Sequence, residues 1–171
     1  AKPVAEQEIG RLLIMETIAF SETSMCRRKY LLHYFGEEFS ETDCHNMCDN
    51  CKNPKPTTEG KDFVLKLLKV IIECKQRFKP KEIAKIIVGE SNSLIKQHMS
   101  QIEHVFGIGK DKSIQFWHSI IRQIYVKQLI TKEIESYGIL KVTNSGEDFI
   151  KNPTSVKITE DHDYNAISDQ K

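Results

Sequence analysis

The chain has 171 residues, 39% apolar and 29% charged, with a formal net charge of +1. That balance is globular and leaves room for one medium domain or two small ones. No apolar run reaches the roughly 18–20 residues that span a bilayer, and the start AKPVAEQEIG lacks the basic and apolar segments of a signal peptide.

Ile9, Leu12, Leu13 and Ile18 recur at helical spacing and predict an amphipathic helix over about residues 5–20. SETS at 21–24 offers capping groups for a second helix, MCRRKYLLHYF, which stops at Gly36. Residues 37–53 show little periodicity, and NPKPTTEGKD (53–62) has the prolines, glycine and polar residues of a linker. KDFVLKLLKVIIECKQ (61–76) reads as a strongly apolar helix, and KPKEIAKIIVGE as a helix after Pro80 that ends near Gly89. SNSLIKQHMSQIE gives a short helix and DKSIQFWHSIIRQIYVKQLI a long one. TKEIESYGILKVT then reads as a hairpin turning at Ser136, Tyr137 and Gly138. NSGEDFI suits one last helical turn, and the polar, acidic TSVKITEDHDYNAISDQK reads as a mobile linker.

The expected fold is mainly α with a small β-hairpin. Residues 1–56 form a helical cysteine-rich subdomain, 57–153 follow the helix-then-hairpin order of a winged helix, and 154–171 form a flexible acidic tail. Charge divides along the same lines. Residues 1–60 carry 7 Lys/Arg against 10 Asp/Glu, residues 61–128 carry 13 against 6, and the remainder 5 against 8. The basic middle is either a polyanion-binding face or a solvated lysine-rich surface.

Four of the five cysteines follow the pattern Cys26-x17-Cys44-x3-Cys48-x2-Cys51. Thiolates two to four residues apart can curl around one Zn²⁺, and four of them close its tetrahedral sphere. A closed sphere holds no activated water, so the site reads as structural, one ion per chain. Redox chemistry needs a βαβ context that is missing, and the lack of an export signal disfavours disulfides. His45 stands beside Cys44 as an alternative second ligand. Cys74, inside an apolar helix, reads as a buried thiol.

CRRKYLLHYFGE followed by CHNMCDNCKNP resembles the zinc-binding region of RecQ DNA helicases. GESNSLIKQ, FGIGKDKSIQFWHSIIRQ and the hairpin before KVTNSGEDFI resemble the winged-helix (RQC) domain of the same family, so the likeness runs from about residue 8 to 150. The compact wing is closer to bacterial members than to the Bloom or Werner type. The three residues between Cys44 and Cys48 are one more than many bacterial members have. No GxxxxGK[ST] loop, DExH-like box or arginine finger occurs. The resemblance therefore implies that ATP and Mg²⁺ act only in a motor domain N-terminal to residue 1, and that a further module of the HRDC type follows. It implies duplex or forked DNA and that motor domain as partners, no membrane partner, and a cytoplasmic, nucleoid-associated place in a bacterium.

Ser91, Asn92 and Ser93 at the start of the third helix of this domain can cap it or meet a phosphate. Lys110, Lys112 and Ser113 precede its fourth helix, next to Gly107 and Gly109, and Lys96 suits the same DNA-facing surface. Arg122 either joins them or pairs with an acidic neighbour. Trp117, Ile120, Ile121 and Ile124 read as core, with Phe106. Tyr137 is either a wedge that splits the duplex end or a side chain packed on its own domain. Arg27 and Arg28 can neutralise the thiolates, pair with the motor domain or touch DNA. The expected function is the DNA-binding zinc and winged-helix module of an ATP-dependent 3′–5′ RecQ-type helicase in DNA repair and recombination. A free-standing zinc and winged-helix transcription regulator is the alternative, while the closed thiolate site argues against a zinc hydrolase.

Overall fold

The first helix, α1 (Val4–Glu22), buries only Ala19 of its 19 residues. Cys26 precedes α2 (Arg27–Tyr34), which ends where Phe35 and the left-handed Gly36 turn the chain. A 3₁₀ turn (Glu41–Cys44) and a one-turn helix, α3 (Asp49–Lys52), lie in the stretch without periodicity, being too short to show any. The computed structural model describes residues 3–164. They divide into two units, one comprising the described residues up to Thr58 and from Ile158 onward, the other Glu59–Lys157.

The second unit opens with β1 (Thr58–Glu59), on which the division falls, and α4 (Lys61–Glu73). There follow α5 (Pro80–Val88), α6 (Ser93–Gln97), α7 (Met99–Ile102) and α8 (Ile114–Val126). The wing is β2 (Ile130–Glu133) against β3 (Ile139–Val142), antiparallel, with Ile130 opposite Val142 and Glu133 opposite Ile139. After it come α9 (Asn144–Lys151) and β4 (Lys157–Ile158), which pairs with β1. The arrangement is that of a winged helix: mainly helical, with one small hairpin.

Helical spacing places Val64, Leu67, Leu68 and Ile71 of α4, Ile83, Ile86 and Ile87 of α5, and Trp117, Ile120, Ile121 and Ile124 of α8 in one core. Each such side chain contributes roughly 1.5–3 kcal/mol on burial. Cys74 joins them, and burial pushes its thiol up to about 12. The hairpin is tied to this core through Leu140 N–H, which donates to Phe78 O at 3.0 Å, and Val142 N–H, which donates to Gln76 Oε1 at 2.8 Å.

Besides β1, which falls in the expected linker, three elements differ from the sequence reading. The expected third helix of this domain is two, because His98 N–H bonds the carbonyl of Ile95 and tightens the turn while its ring packs edge-on to Phe78. The long helix begins only after Ser113, which caps it. It ends at Val126, where left-handed Gln128 lets Leu129 N–H close back on Ile124 O. The acidic tail is held rather than mobile over 154–164. Glu59 accepts from Ser155 Oγ at 2.5 Å and Val156 N–H at 3.1 Å, Gly60 N–H donates to Val156 O at 2.8 Å, and Ile158 is buried. The rest of that expected tail, 165–171, lies outside the described residues.

The loop before α8 is clamped from three sides. Gly107 and Gly109 N–H groups donate to Ile86 O (2.8 Å) and Ile87 O (2.7 Å), taking up carbonyls at the end of α5. The buried indole of Trp117 donates to Gly109 O at 2.9 Å. A Cβ on Gly109 would stand 2.5 Å from Trp117 Cζ2 and 2.8 Å from Ile87 Cγ1, neither of which can yield. Gly109→Ala should therefore destabilise this unit by about 1–3 kcal/mol, read as a lowered urea midpoint in tryptophan fluorescence.

Candidate metal centre and nucleic-acid interface

Sequence-distant residues build the sulfur cluster in the first unit. Cys26 is the residue before α2, Cys44 closes the 3₁₀ turn, Cys48 caps α3 and Cys51 lies within it. Their four sulfur atoms lie within 4.8 Å of one another. Tetrahedral thiolates on an ion at a Zn–S distance of about 2.3 Å stand about 3.8 Å apart, so the array is of the right size. Cys26 and Cys44 are buried, Cys48 and Cys51 half-buried. His45 sits on the outer side of the turn with positive φ, exposed and outside the cluster.

Electrostatics favours a cation here. Burial, then Cys48, Cys26 and Cys44, push the Cys51 thiol up, and burial also raises Cys26. Burial opposes ionisation of Cys48 too, but the N–H groups of Arg27 and Cys51 bring its thiol down to about 7. Four thiolates this close cannot all ionise without a positive charge between them.

The groups around the cluster explain how it is held. Arg27 donates to both Asp49 oxygens at 2.7 and 2.9 Å and to Phe20 O at 2.6 Å, locking the end of α1 to the start of α3. The Arg27 contact holds the Asp49 carboxyl below its ordinary range. Arg27 is thus engaged with a carboxylate, a role outside the three that the sequence leaves open, while Arg28 reaches Met47 Sδ at 3.7 Å. Asn50, buried between two of the cysteines, donates to Thr23 O and Met25 O, both at 2.7 Å. Its amide fixes the turn that delivers Cys26. Nothing but its position inside CDNC marked it in the sequence.

In the winged-helix unit the candidate DNA residues fall on two loops that meet and on the short α6 that follows the first of them. Gly89, left-handed at the end of α5, lies so close to Gly107 that an added Cβ would stand 3.3 Å from Gly107 Cα. Ser91, Asn92 and Ser93 follow the first glycine, and Lys110, Lys112 and Ser113 follow the second. Asn92 caps α6, accepting from Ile95 N–H at 2.9 Å, and its amide group reaches Glu82 Oε1 at 3.4 Å. Ser91, Ser93 and Lys96 are exposed. Ser113 caps α8 through Phe116 N–H at 3.1 Å, which leaves its hydroxyl proton able to donate outward. Lys112 Nζ stands 5.5 Å from the ring centroids of Phe63 and of Phe116, while Lys110 is exposed. Arg122 is half-buried and Phe106 also lies at the edge of the core.

At the wing tip Tyr137 has positive φ, donates its N–H to Ile134 O at 3.0 Å and is 37% exposed. Its ring lies 5.8 Å from Lys79 Nζ. Ile134, 83% exposed, is the outermost apolar side chain of the turn. The sequence reading passed it over because a single isoleucine in KEIESYG fits the strand pattern.

A four-thiol site of zinc type in one unit and a winged helix in the other define the class: a small zinc-type module joined to a winged-helix module. The family model for the RQC domain matches residues 54–166, and that described as RecQ zinc-binding matches residues 2–52. The chain belongs to the RecQ family. It is 36% identical over 133 residues to the ATP-dependent DNA helicase RecQ of Pasteurella multocida, covering 75% of this chain and 21% of that protein. It is 35% identical over 136 residues to the protein of the same name from Haemophilus influenzae, covering 77% and 21%. The ATP-dependent helicase SGS1 of Saccharomyces cerevisiae is 29% identical over 140 residues, covering 74% and 9%. The chain thus spans about a fifth of the length of the bacterial relatives it matches. No helix among the described residues is long and apolar enough to cross a membrane.

Asn50→Asp sets a carboxylate against two carbonyl oxygens and removes both donated bonds. It should cost about 2–3 kcal/mol, read as roughly a hundredfold loss of hydrogen-exchange protection at Tyr30 N–H, which bonds Cys26 O.

Proposed function

We propose that the chain is the DNA-docking part of an ATP-dependent 3′–5′ RecQ-type helicase that acts in DNA repair and recombination. The observation that carries this reading is the meeting of two loops at Gly89 and Gly107, one leading through Ser91 into α6 with its Ser93 and Lys96, the other bearing Lys110, Lys112 and Ser113. Hydroxyls and ammonium groups of this kind bind phosphate oxygens and fix a duplex in place without reading its sequence. Asn92 serves by capping α6 behind them. The wing tip then stands at the duplex end, where Tyr137 and Ile134 form the wedge. An aromatic stacked on an exposed base contributes about 1–3 kcal/mol, comparable with the mean of about 1.4 kcal/mol needed to open one base step.

In this reading Cys26, Cys44, Cys48 and Cys51 hold one structural Zn²⁺. The ion supplies folding energy and no chemistry, since the closed thiolate sphere leaves no water to activate. ATP and Mg²⁺ act in the motor domain of the parent protein. The α1–α2 surface, with Leu13, Ile14, Met15, Tyr34 and Phe35 exposed, is where that domain docks, for the relatives have most of their length beyond the matched segment. The setting is the cytoplasm of a bacterium, at its nucleoid.

Fluorescence anisotropy with forked duplex, blunt duplex and single strands over a salt series tests the proposal. Affinity should be indifferent to base sequence, and Lys110→Ala and Lys112→Ala should each flatten the plot of log affinity against log salt by about 0.9. Strong preference for one base sequence would sink the helicase reading in favour of a transcription regulator. Metal analysis of reduced protein should give about one zinc per chain, as a closed tetrathiolate site holds a single ion.

A further inference from the structure

The unit with the sulfur cluster is completed by residues that follow the winged helix. Ile158, 2% exposed, begins a segment that returns to the two stretches carrying the sulfur atoms. Thr159 Oγ1 lies 2.5 Å from Ser24 Oγ, and Lys55 Nζ donates to Asp161 O at 2.7 Å. His162 N–H donates to Glu22 O at 2.8 Å, and Tyr164 Oη donates to Ser21 O at 3.0 Å. Three of these four contacts fall on 21–24, the turn that leads into Cys26.

The fifth contact reaches the knuckle itself. His162 Nε2 lies 2.7 Å from Asn50 Oδ1, and Asn50 stands between Cys48 and Cys51. The amide orientation is fixed, because Asn50 Nδ2 faces two carbonyl oxygens. Asn50 Oδ1 must therefore accept, and His162 Nε2 must carry the proton. A single imidazole thus aligns the amide that holds the 23–25 turn, while its own backbone N–H holds Glu22.

We infer that residues 158–164 are a strap belonging to the zinc-binding unit, and that His162 is a positioning residue for the metal ligands. This rests on the zinc reading above. The strap joins the Cys26 turn to the Cys48–Cys51 knuckle through Asn50, so loosening it lets the two halves of the ligand set drift apart. Groups that orient metal ligands from behind are typically worth about 10–100-fold in metal affinity.

The test uses the whole chain loaded with one equivalent of zinc and challenged with excess chelating dye. His162→Ala should release zinc at least about tenfold faster. His162→Gln, whose amide N–H can replace the Nε2–H donor, should restore most of the retention. Tyr164→Phe removes one exposed hydrogen bond, keeps the fold testable if His162→Ala does not fold, and should speed release about two- to tenfold. Release at the parental rate in both His162→Ala and Tyr164→Phe overturns the strap while leaving the zinc site standing. Release from His162→Gln as fast as from His162→Ala overturns the role given to the imidazole donor. A reduced parent chain that takes up no zinc overturns the zinc reading itself, and the strap's role falls with it.

Discussion

The first unit has too little apolar interior to hold itself together. Beyond Cys26 and Cys44, its buried apolar residues among those described are Ala19, Met25, Tyr30 and Ile158. Most of the apolar surface of α1 faces outward, including Val4, Leu13, Ile14 and Met15. A unit of this size with so small a core needs another source of cohesion, and metals and polar clamps are the usual ones. Among the described residues its buried polar side chains, Thr23, Ser24 and Asn50, lie in the turn before Cys26 and in the knuckle. Each is satisfied: Thr23 Oγ1 accepts from Met25 N–H at 3.2 Å, and Ser24 and Asn50 meet the strap. Satisfied buried polar groups specify one geometry, since any slippage strands a donor or acceptor away from water.

The winged-helix unit solves the opposite problem. Its core is ample, and what has to be controlled is a pair of polar loops that carry charge and hydroxyls out of it. Control comes from the backbone and one buried indole. Two glycines let the loops touch, two carbonyls at the end of α5 anchor the second loop, and Trp117 ties it to α8. Side chains carried on a backbone held this firmly leave only their own rotamers to be ordered by a ligand. The same rigidity extends to the wing through Phe78 and Gln76.

What the sequence disclosed follows from which interactions are local. Apolar spacing revealed α4 and α5, turn chemistry around Ser136, Tyr137 and Gly138 marked the hairpin whose turn spans 134–138, and thiol spacing marked the four cysteines that cluster. The break at His98 was hidden because it depends on Phe78, a partner twenty residues away. Asn50 and His162 were hidden for the same reason, since a polar residue looks like loop until its distant partner is known. Ile134 fitted a strand pattern and only the turn geometry exposed it. The candidate DNA residues were legible as a set of types, but the contact between their loops depends on Gly89 meeting Gly107.

Residues 158–164 close on the first unit across a long stretch of sequence. Closing a loop from the knuckle to residue 158 through an unfolded segment carries an entropic cost that grows with the logarithm of its length. Once the winged-helix unit is folded, its two ends are zipped together: Gly60 bonds Val156, and Glu59 takes Ser155, Val156 and an ion pair with Lys157 at 3.9 Å. The effective loop then shrinks to the few residues outside that zipper. Insertion at neighbouring chain ends is the arrangement that a host domain tolerates best. The winged helix is in this sense an insert within the sulfur-bearing unit, and its folding lowers the cost of bringing His162 to Asn50.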